Sequence, residues 1–298
     1  MRVFVTGATG FIGSAVVAEL IGAGHQVLGL CRSDDKAAAL AAAGAEVHRG
    51  SIQDLDSLRQ GAAQSDGVIH LAFNHDFSTF AANCDDDRRV IAALGSALAG
   101  SNRPLIVTSG TGMAVSQPGQ PSTEDGPTVS ADVIPRAASE EAAAALAAEG
   151  VNVSVVRLPQ VHDPVKQGLV TYAIATFREK GECVYVGEGA NRWPAAHVLD
   201  VARLYRLAIE KAAPRAIYHA VAEEGVSLRD MVHAISRRLD LPLRSITAEE
   251  APAYFGWLAM FVGHDLVASS AKTRQQLGWQ PTGPTMIADL DQLQLAAD

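Results

Sequence analysis

A short apolar run, Val3-Phe4-Val5, leads through Thr6 into Gly7-Ala8-Thr9-Gly10-Phe11-Ile12-Gly13, and an Ala/Val/Leu-rich stretch follows from Ser14 to Ala23. This order of strand, glycine turn and helix constrains the fold more than any other feature. Gly7 permits the tight turn. Gly10 lets backbone N–H groups approach a pyrophosphate, and Gly13 lets the helix pack closely on the strand. The helix N-terminus itself favours an anion. The turn, with Thr9, Phe11 and Ile12 among its glycines, is therefore a candidate dinucleotide cradle. The competing reading is an ordinary strand–helix turn with accidental glycines.

Downstream, short β-branched runs alternate with Ala/Leu-rich helical stretches. Strands are expected at Gln26–Leu30, Glu46–Arg49, Gly67–Leu71, Leu105–Thr108, Asn152–Arg157 and Ile217–Ala220. Helices are expected at Lys36–Ala43, Leu55–Ala63, Asp86–Ala99 and Ser139–Ala148. This alternation predicts an α/β fold, a doubly wound parallel (Rossmann) sheet with right-handed crossovers. The strands lack polar alternation, as expected where both sheet faces are covered. Residues 115–135 read as a proline-rich loop over the carboxyl edge of the sheet. The nucleotide-binding domain is expected over 1–159, with 191–220 returning to it. Residues 160–190 and 221–298 would form a smaller C-terminal substrate lobe.

Composition removes several alternatives. A net charge of −9 without a basic block argues against a nucleic-acid partner. No apolar run reaches membrane-spanning length, and the first apolar run is too short for a secretion signal. Three widely spaced cysteines suggest reduced thiols in a cytoplasm. The histidines show no metal-ligand spacing, so no metal is expected. The run Asp85-Asp86-Asp87-Arg88-Arg89 reads as the exposed start of a helix.

The end of the second strand selects the dinucleotide. An acid there binds the ribose of NAD, whereas a base pairs with the 2′-phosphate of NADP. Here Cys31 stands at the acid position and is followed by Arg32 and Ser33. That favours NADP (NADPH) over NAD, although Asp34 and Asp35 lie close by. Ser51 and Ile52, after the third strand, would lie beside the adenine. Leu71, Ala72 and Phe73, after the fourth, would line the ribose and pyrophosphate, or merely pack the strand end.

Four segments after these strands carry a resemblance. Gly7–Gly13, His70-Leu71-Ala72, Thr108-Ser109 and Arg157-Leu158-Pro159, with Ala196-His197-Val198-Leu199-Asp200-Val201-Ala202 beyond, resemble an extended short-chain dehydrogenase/reductase of the NAD-dependent epimerase/dehydratase type. The resemblance runs from residue 1 to about 220. It implies a Rossmann domain, a nicotinamide cofactor contacted also by Thr108 and Pro159, a small-molecule substrate, and a monomer or homodimer. It also implies a Tyr-x-x-x-Lys pair on the helix before the sixth strand, where Tyr moves the proton and Lys holds the ribose. Here Arg136 stands at the Tyr position and Glu140 at the Lys position, and no tyrosine lies between Phe11 and Val170.

Candidate replacements are few. Ser109 or Thr111 would supply a hydroxyl to a substrate oxygen. Arg136 would stabilise an oxyanion, or form a plain spacing-four ion pair with Glu140. His75, with Asp76 orienting it, would move a proton from a loop between two aromatics; otherwise these are a loop histidine and a helix cap. Asn74 shares that loop. The resemblance puts His162 near the nicotinamide. Tyr172 would reach the cleft from above or fill a helix core, and Trp193 and His197 would cap the substrate pocket, unless His197 instead makes a buried orienting hydrogen bond. The expected function is an NADP(H)-dependent oxidoreductase for a small carbonyl or hydroxyl compound with a non-standard acid/base. A catalytically silent NADP-binding sensor and a redox-neutral epimerase/dehydratase-type enzyme are the alternatives.

Overall fold

The computed structural model describes residues 1–117 and 119–295; Pro118, inside the proline-rich loop, and the last three residues of the smaller lobe lie outside the described residues. The first half of the chain runs β1 (Arg2–Thr6), α1 (Phe11–Gly22), β2 (Gln26–Cys31), α2 (Asp34–Ala42), β3 (Glu46–Arg49), α3 (Leu55–Ala63), β4 (Gly67–His70), α4 (Phe80–Ser96), β5 (Leu105–Gly110), α5 (Ala138–Ala148) and β6 (Val153–Leu158). The second half runs β7 (Gln160–His162), α6 (Val170–Lys180), β8 (Cys183–Val186), β9 (Arg192–His197), α7 (Val198–Lys211), β10 (Ile217–His219), β11 (Glu223–Ser227), α8 (Leu228–Leu239) and β12 (Leu243–Ile246). It closes with α9 (Ala251–Phe255), α10 (Ala259–Val262), α11 (Ala271–Leu277) and α12 (Met286–Asp291).

Among the described residues a seven-stranded parallel sheet has the order β10-β6-β5-β4-β1-β2-β3. The order reverses between β1 and β4, which opens a crevice at their carboxyl ends. The apolar runs show why the sheet is covered twice. In β1, Val3 and Val5 enter the core under α1, α2 and α7, while Phe4 enters the core under α3, α4 and α5. Ile69, Ile106 and Val156 repeat the first assignment; Val68, Val107 and Val155 repeat the second.

The smaller lobe has its own core around Phe177, Trp193, Met231, Ile235 and Phe255. β9 pairs with β7 and β11 in a separate sheet, although its Ala196 reaches the large core, where α7 and β10 pack on the nucleotide-binding layer. Conversely, α11 packs on α7 and β10, and Trp279 lies in the large core with its indole N–H donated to Asp200 O at 2.9 Å. The chain thus crosses back to the larger domain once more after residue 221. The proline-rich loop is pinned to that returning segment: Ser122 N donates to Val267 O and Ser269 N to Ser122 O.

One helix begins earlier than its pattern suggests. The helix expected from Asp86 starts at Phe80. Asp87 is consequently not at an exposed start but buried in the helix interior, facing β4.

Candidate active site

Two of the three turn glycines are fixed by the protein's own backbone. Gly7 has φ +69°, and a Cβ there would stand 2.8 Å from Ala72 N. A Cβ on Gly13 would stand 2.0 Å from Gly7 O. Gly10 differs: a Cβ there meets only Gly7 O, at 3.2 Å, and otherwise open space. Gly10 is also the N-cap of α1 and makes no side-chain cap bond. The bare, uncapped helix start next to open space fits the diphosphate of a dinucleotide. Thr9, Phe11 and Ile12 lie within this turn.

At the carboxyl end of β2, Cys31 is buried and Arg32 and Ser33 are exposed. Arg49, opposite Cys31 on β3, forms an ion pair with Asp34. The acid nearest Arg32 in sequence is therefore already partnered. Ser51 and Ile52 are half-buried in the loop that follows β3.

The crevice floor is a buried polar chain. Thr6 Oγ1 accepts from the backbone of Leu71 and Ala72, both at 3.2 Å, and lies 2.7 Å from His70 Nδ1. His70 Nε2 lies 2.9 Å from Asp87 Oδ1. Because a carboxylate only accepts, Nε2 carries the proton facing Asp87, leaving Nδ1 for the Thr6 hydroxyl. Asp87 Oδ2 accepts from Arg136 Nη1 at 3.2 Å and from the Ser139 hydroxyl. Burial alone would raise the Asp87 pKa, but His70, Arg136 and Ser139 outweigh it and hold the carboxyl below its ordinary value. Arg136 Nη2 donates to Thr108 O at 2.9 Å, and its guanidinium lies 4.3 Å over the Phe73 ring. Three of its five N–H donors have protein acceptors, the third being Ser139. The spacing-four pair with Glu140 does not form.

Glu140 turns to β6 instead. Arg157 donates to its two oxygens at 2.9 and 2.7 Å, Thr128 adds a bond at 3.1 Å, and Arg157 is fully buried. Burial opposes the charge on Glu140, yet these partners hold its pKa below the ordinary value. Arg157 Nη1 donates to His219 Nε2 at 3.2 Å, and His219 Nδ1 donates to Ser269 O at 2.8 Å. Ser109 is buried beside Glu140, close enough to help lower its pKa but without hydrogen-bond geometry. Thr111 opens the buried turn after β5. On the opposite face, Thr108 Oγ1 donates to His70 O and lies 2.7 Å from the hydroxyl of Tyr205, whose pKa burial pushes far up.

The loop after β4 holds the remaining polar candidates. Asp76 caps a short turn, accepting from the Ser78 hydroxyl at 2.6 Å and from Ser78 N at 3.0 Å, which together keep its carboxyl below the ordinary range. Asn74 bonds Asn83 at 3.1 Å and accepts from Asp76 N, so it shapes the loop. His75 stands at the rim, with one side in solvent and the other edge-on to Phe73. Lost hydration on that side and the nearby Arg136 charge hold its pKa below 6.5.

Three candidates sit away from the open cleft. His162 is fully buried, with Nδ1 2.7 Å from Asp289 and Nε2 making no hydrogen bond but lying 3.8 Å from Glu223; burial pushes its pKa down against the pull of Asp289. His197 caps α7, accepting from Leu199 N at 3.3 Å. Trp193 lies in the lobe core, where it lines a small apolar cavity with Phe177, Met231 and Phe255, and donates to His264 O. The half-buried Pro159 separates β6 from β7. Tyr172 is different: it is 41% exposed and meets Phe77 and Trp257 edge-on. Phe77, Trp257, Asp87 and Ser139 all escaped sequence reasoning. Asp87 was hidden in an acidic run, and nothing in Gly256-Trp257-Leu258 marks the tryptophan as exposed.

With this geometry in hand, the comparisons with known proteins are informative. The model of the NAD dependent epimerase/dehydratase family matches residues 3–234. An uncharacterized protein of Schizosaccharomyces pombe is 46% identical over 291 residues, covering 97% of this chain and 98% of its own. The UDP-glucose 4-epimerase of Streptomyces lividans is 28% identical over 318 residues, covering 94% and 92%. Among solved structures, the dTDP-glucose 4,6-dehydratase DesIV of Streptomyces venezuelae, with NAD bound, has a TM-score of 0.75 at 21% identity, covering 97% of this chain and 94% of its own. Pal from Bacillus thuringiensis has a TM-score of 0.79 at 19% identity, covering 98% and 97%. At such identities the structural likeness is one of fold.

Proposed function

This chain belongs to the NAD dependent epimerase/dehydratase family, and from that premise we propose that it is an NADP(H)-dependent oxidoreductase acting on a small carbonyl or hydroxyl compound without a tyrosine–lysine pair. The observation that carries the reading is the cradle at Gly7–Gly13, where the protein's own atoms forbid side chains at Gly7 and Gly13 and leave Gly10 facing open space. The first amides of α1 would hold the diphosphate, which the bare Gly10, its own N–H donated to Gly7 O at 2.9 Å, lets come close. Arg32 and Ser33 would hold the 2′-phosphate, helped by Arg49 neutralising Asp34. A nicotinamide, when bound, gives or takes a hydride.

The chain's residues must then manage an oxygen and a proton. Arg136, anchored by Asp87 and Thr108 O, keeps two donors for an oxyanion. His75, exposed at the rim and close enough for the Arg136 charge to help lower its pKa, moves the proton. Ser109 and Thr111 line the strand end behind them, and Asp76 and Asn74 hold the His75 loop in place. Three free, buried thiols suit a reducing cytoplasm. Among the described residues no helix is long and apolar enough to cross a membrane.

Stopped-flow oxidation of NADPH against a panel of carbonyl compounds tests the reading. Turnover of at least one supports it, and none across the panel contradicts it. A second reading, a silent NADP-binding sensor, is favoured by one feature: Glu140 is committed to Arg157 and cannot take over a lysine's role. Tight NADPH binding with no turnover would select it. Redox-neutral chemistry on a nucleotide sugar ranks third, and adding UDP-glucose to the panel tests it.

A further inference from the structure

A row of aromatic rings crosses the mouth of the crevice. Phe73, Phe77 and Phe80 come from the segment after β4, Tyr172 from α6, and Trp257 from the turn at Gly256–Leu258. Phe77 and Trp257 are stacked, with centroids 4.0 Å apart and planes 15° from parallel. Tyr172 meets both edge-on, at 5.9 and 5.2 Å. Phe80 links Phe77 to Phe73, over which the Arg136 guanidinium lies.

Rings that only brace a fold bury their faces, as Trp193 and Trp279 do. Trp257 stays 39% exposed and Tyr172 41%. Phe73, Phe77 and Phe80 are half-buried. Open aromatic area in water is unfavourable unless something covers it. The charge pattern states what that cover is. Residues 251–263 contain no charged side chain, and residues 73–83 contain no lysine or arginine. The acid in the latter segment, Asp76, is spent on capping. Apart from Arg136 at the inner end, which Asp87 already pairs, a diphosphate tail finds no counter-charge in these two segments, whereas a flat neutral ring finds stacking faces along them.

We infer that this row is the binding face for the ring of an uncharged aryl or conjugated carbonyl compound, or of its alcohol. The inference rests on the oxidoreductase reading for the word carbonyl, but the binding face itself needs no turnover. The ring stacks on Trp257 and Tyr172, and the oxygen-bearing carbon points inward along Phe73 toward Arg136. The Phe77–Trp257 stack is the contact that parts to admit it.

The chain has three tryptophans, of which Trp257 alone is open to solvent. Protein labelled with 5-fluorotryptophan therefore gives three fluorine resonances, and Trp257→Phe identifies the one that matters. The full chain is titrated with 1-phenylethanol and with 1-cyclohexylethanol, with and without NADP. A saturable shift of the Trp257 resonance is expected in at least one of these conditions, with half-saturation about three- to tenfold lower for the phenyl alcohol. Tyr172→Ala should raise that half-saturation by about threefold or more while leaving the Trp193 and Trp279 resonances in place. No saturable shift, or equal half-saturation for the two alcohols, overturns the inference. Absent NADPH turnover with the shift intact would instead contradict the oxidoreductase reading alone.

Discussion

Glu140 accepts two hydrogen bonds from Arg157, from the next strand of the sheet, and so closes a buried ion pair at the position where the resembled enzymes carry a lysine. One turn earlier, Arg136 stands at the tyrosine position and pairs with Asp87. The two side chains share a helical face by spacing but take partners on different elements. The helix that would carry a proton-transfer pair is thereby a double brace, fixing α5 to α4 and to β6.

Removing one partner of the inner brace leaves a buried charge unpaired. Glu140→Ala should destabilise the fold by about 3–5 kcal/mol, read as a lower urea midpoint with an unchanged slope. Replacing both, Glu140→Met with Arg157→Met, should recover most of that loss because no uncompensated charge remains.

Arg136→Gln removes the charge proposed to meet an oxyanion. With a carbonyl substrate identified, kcat/KM should fall by roughly 10²-fold or more while NADPH affinity changes little. A purely structural role would lower the melting temperature and leave kcat/KM of the folded enzyme unchanged.

The proton-transfer assignment gives a pH signature. His75 is held below 6.5, so its imidazolium accumulates only in more acidic solution. Carbonyl reduction should speed up as pH falls below 6.5, whereas alcohol oxidation should level off above it. His75→Asn should flatten both limbs.

Stability should follow pH through two other histidines. His162 and His219 are both lowered from 6.5, chiefly by burial. The unfolded chain binds the proton that the folded chain resists, so their contribution is complete above 6.5 and is lost as pH falls below it. The slope approaches about 1.4 kcal/mol per pH unit for each group. Urea melts between pH 8 and pH 5 check this, and His162→Gln should shallow the decline.

The sequence made the large sheet legible and the lobe much less so. Strands β1, β2, β4, β5 and β6 are mostly apolar runs buried on both faces, a pattern that survives without knowledge of neighbours, whereas the edge strand β3 reads Glu-Val-His-Arg and buries none of its residues. β9 reads Arg-Trp-Pro-Ala-Ala-His and β11 reads Glu-Glu-Gly-Val-Ser, compositions that carry no strand signal; their pairing and the burial of Trp193, Ala195 and Val226 make them strands. The cradle was legible because its glycines answer local steric demands. Asp87 was not, because its burial depends on His70 and Arg136, 17 and 49 residues away. Trp257 was not legible for a related reason: only the folded chain brings it against Phe77.

The central claim is that the amino-terminal turn holds a dinucleotide diphosphate through backbone amides, with Arg32 choosing the phosphorylated form. Calorimetric titration of NADPH and NADH into the native chain, Gly10→Ala and Arg32→Ala tests it most directly. The account expects saturable NADPH binding to the native chain, roughly tenfold or more tighter than NADH, with that preference erased in Arg32→Ala. It expects Gly10→Ala to fold, since only Gly7 O lies near the added carbon, yet to lose binding of both cofactors. Native protein that binds neither cofactor, or a Gly10→Ala variant that binds both as the native chain does, would contradict it.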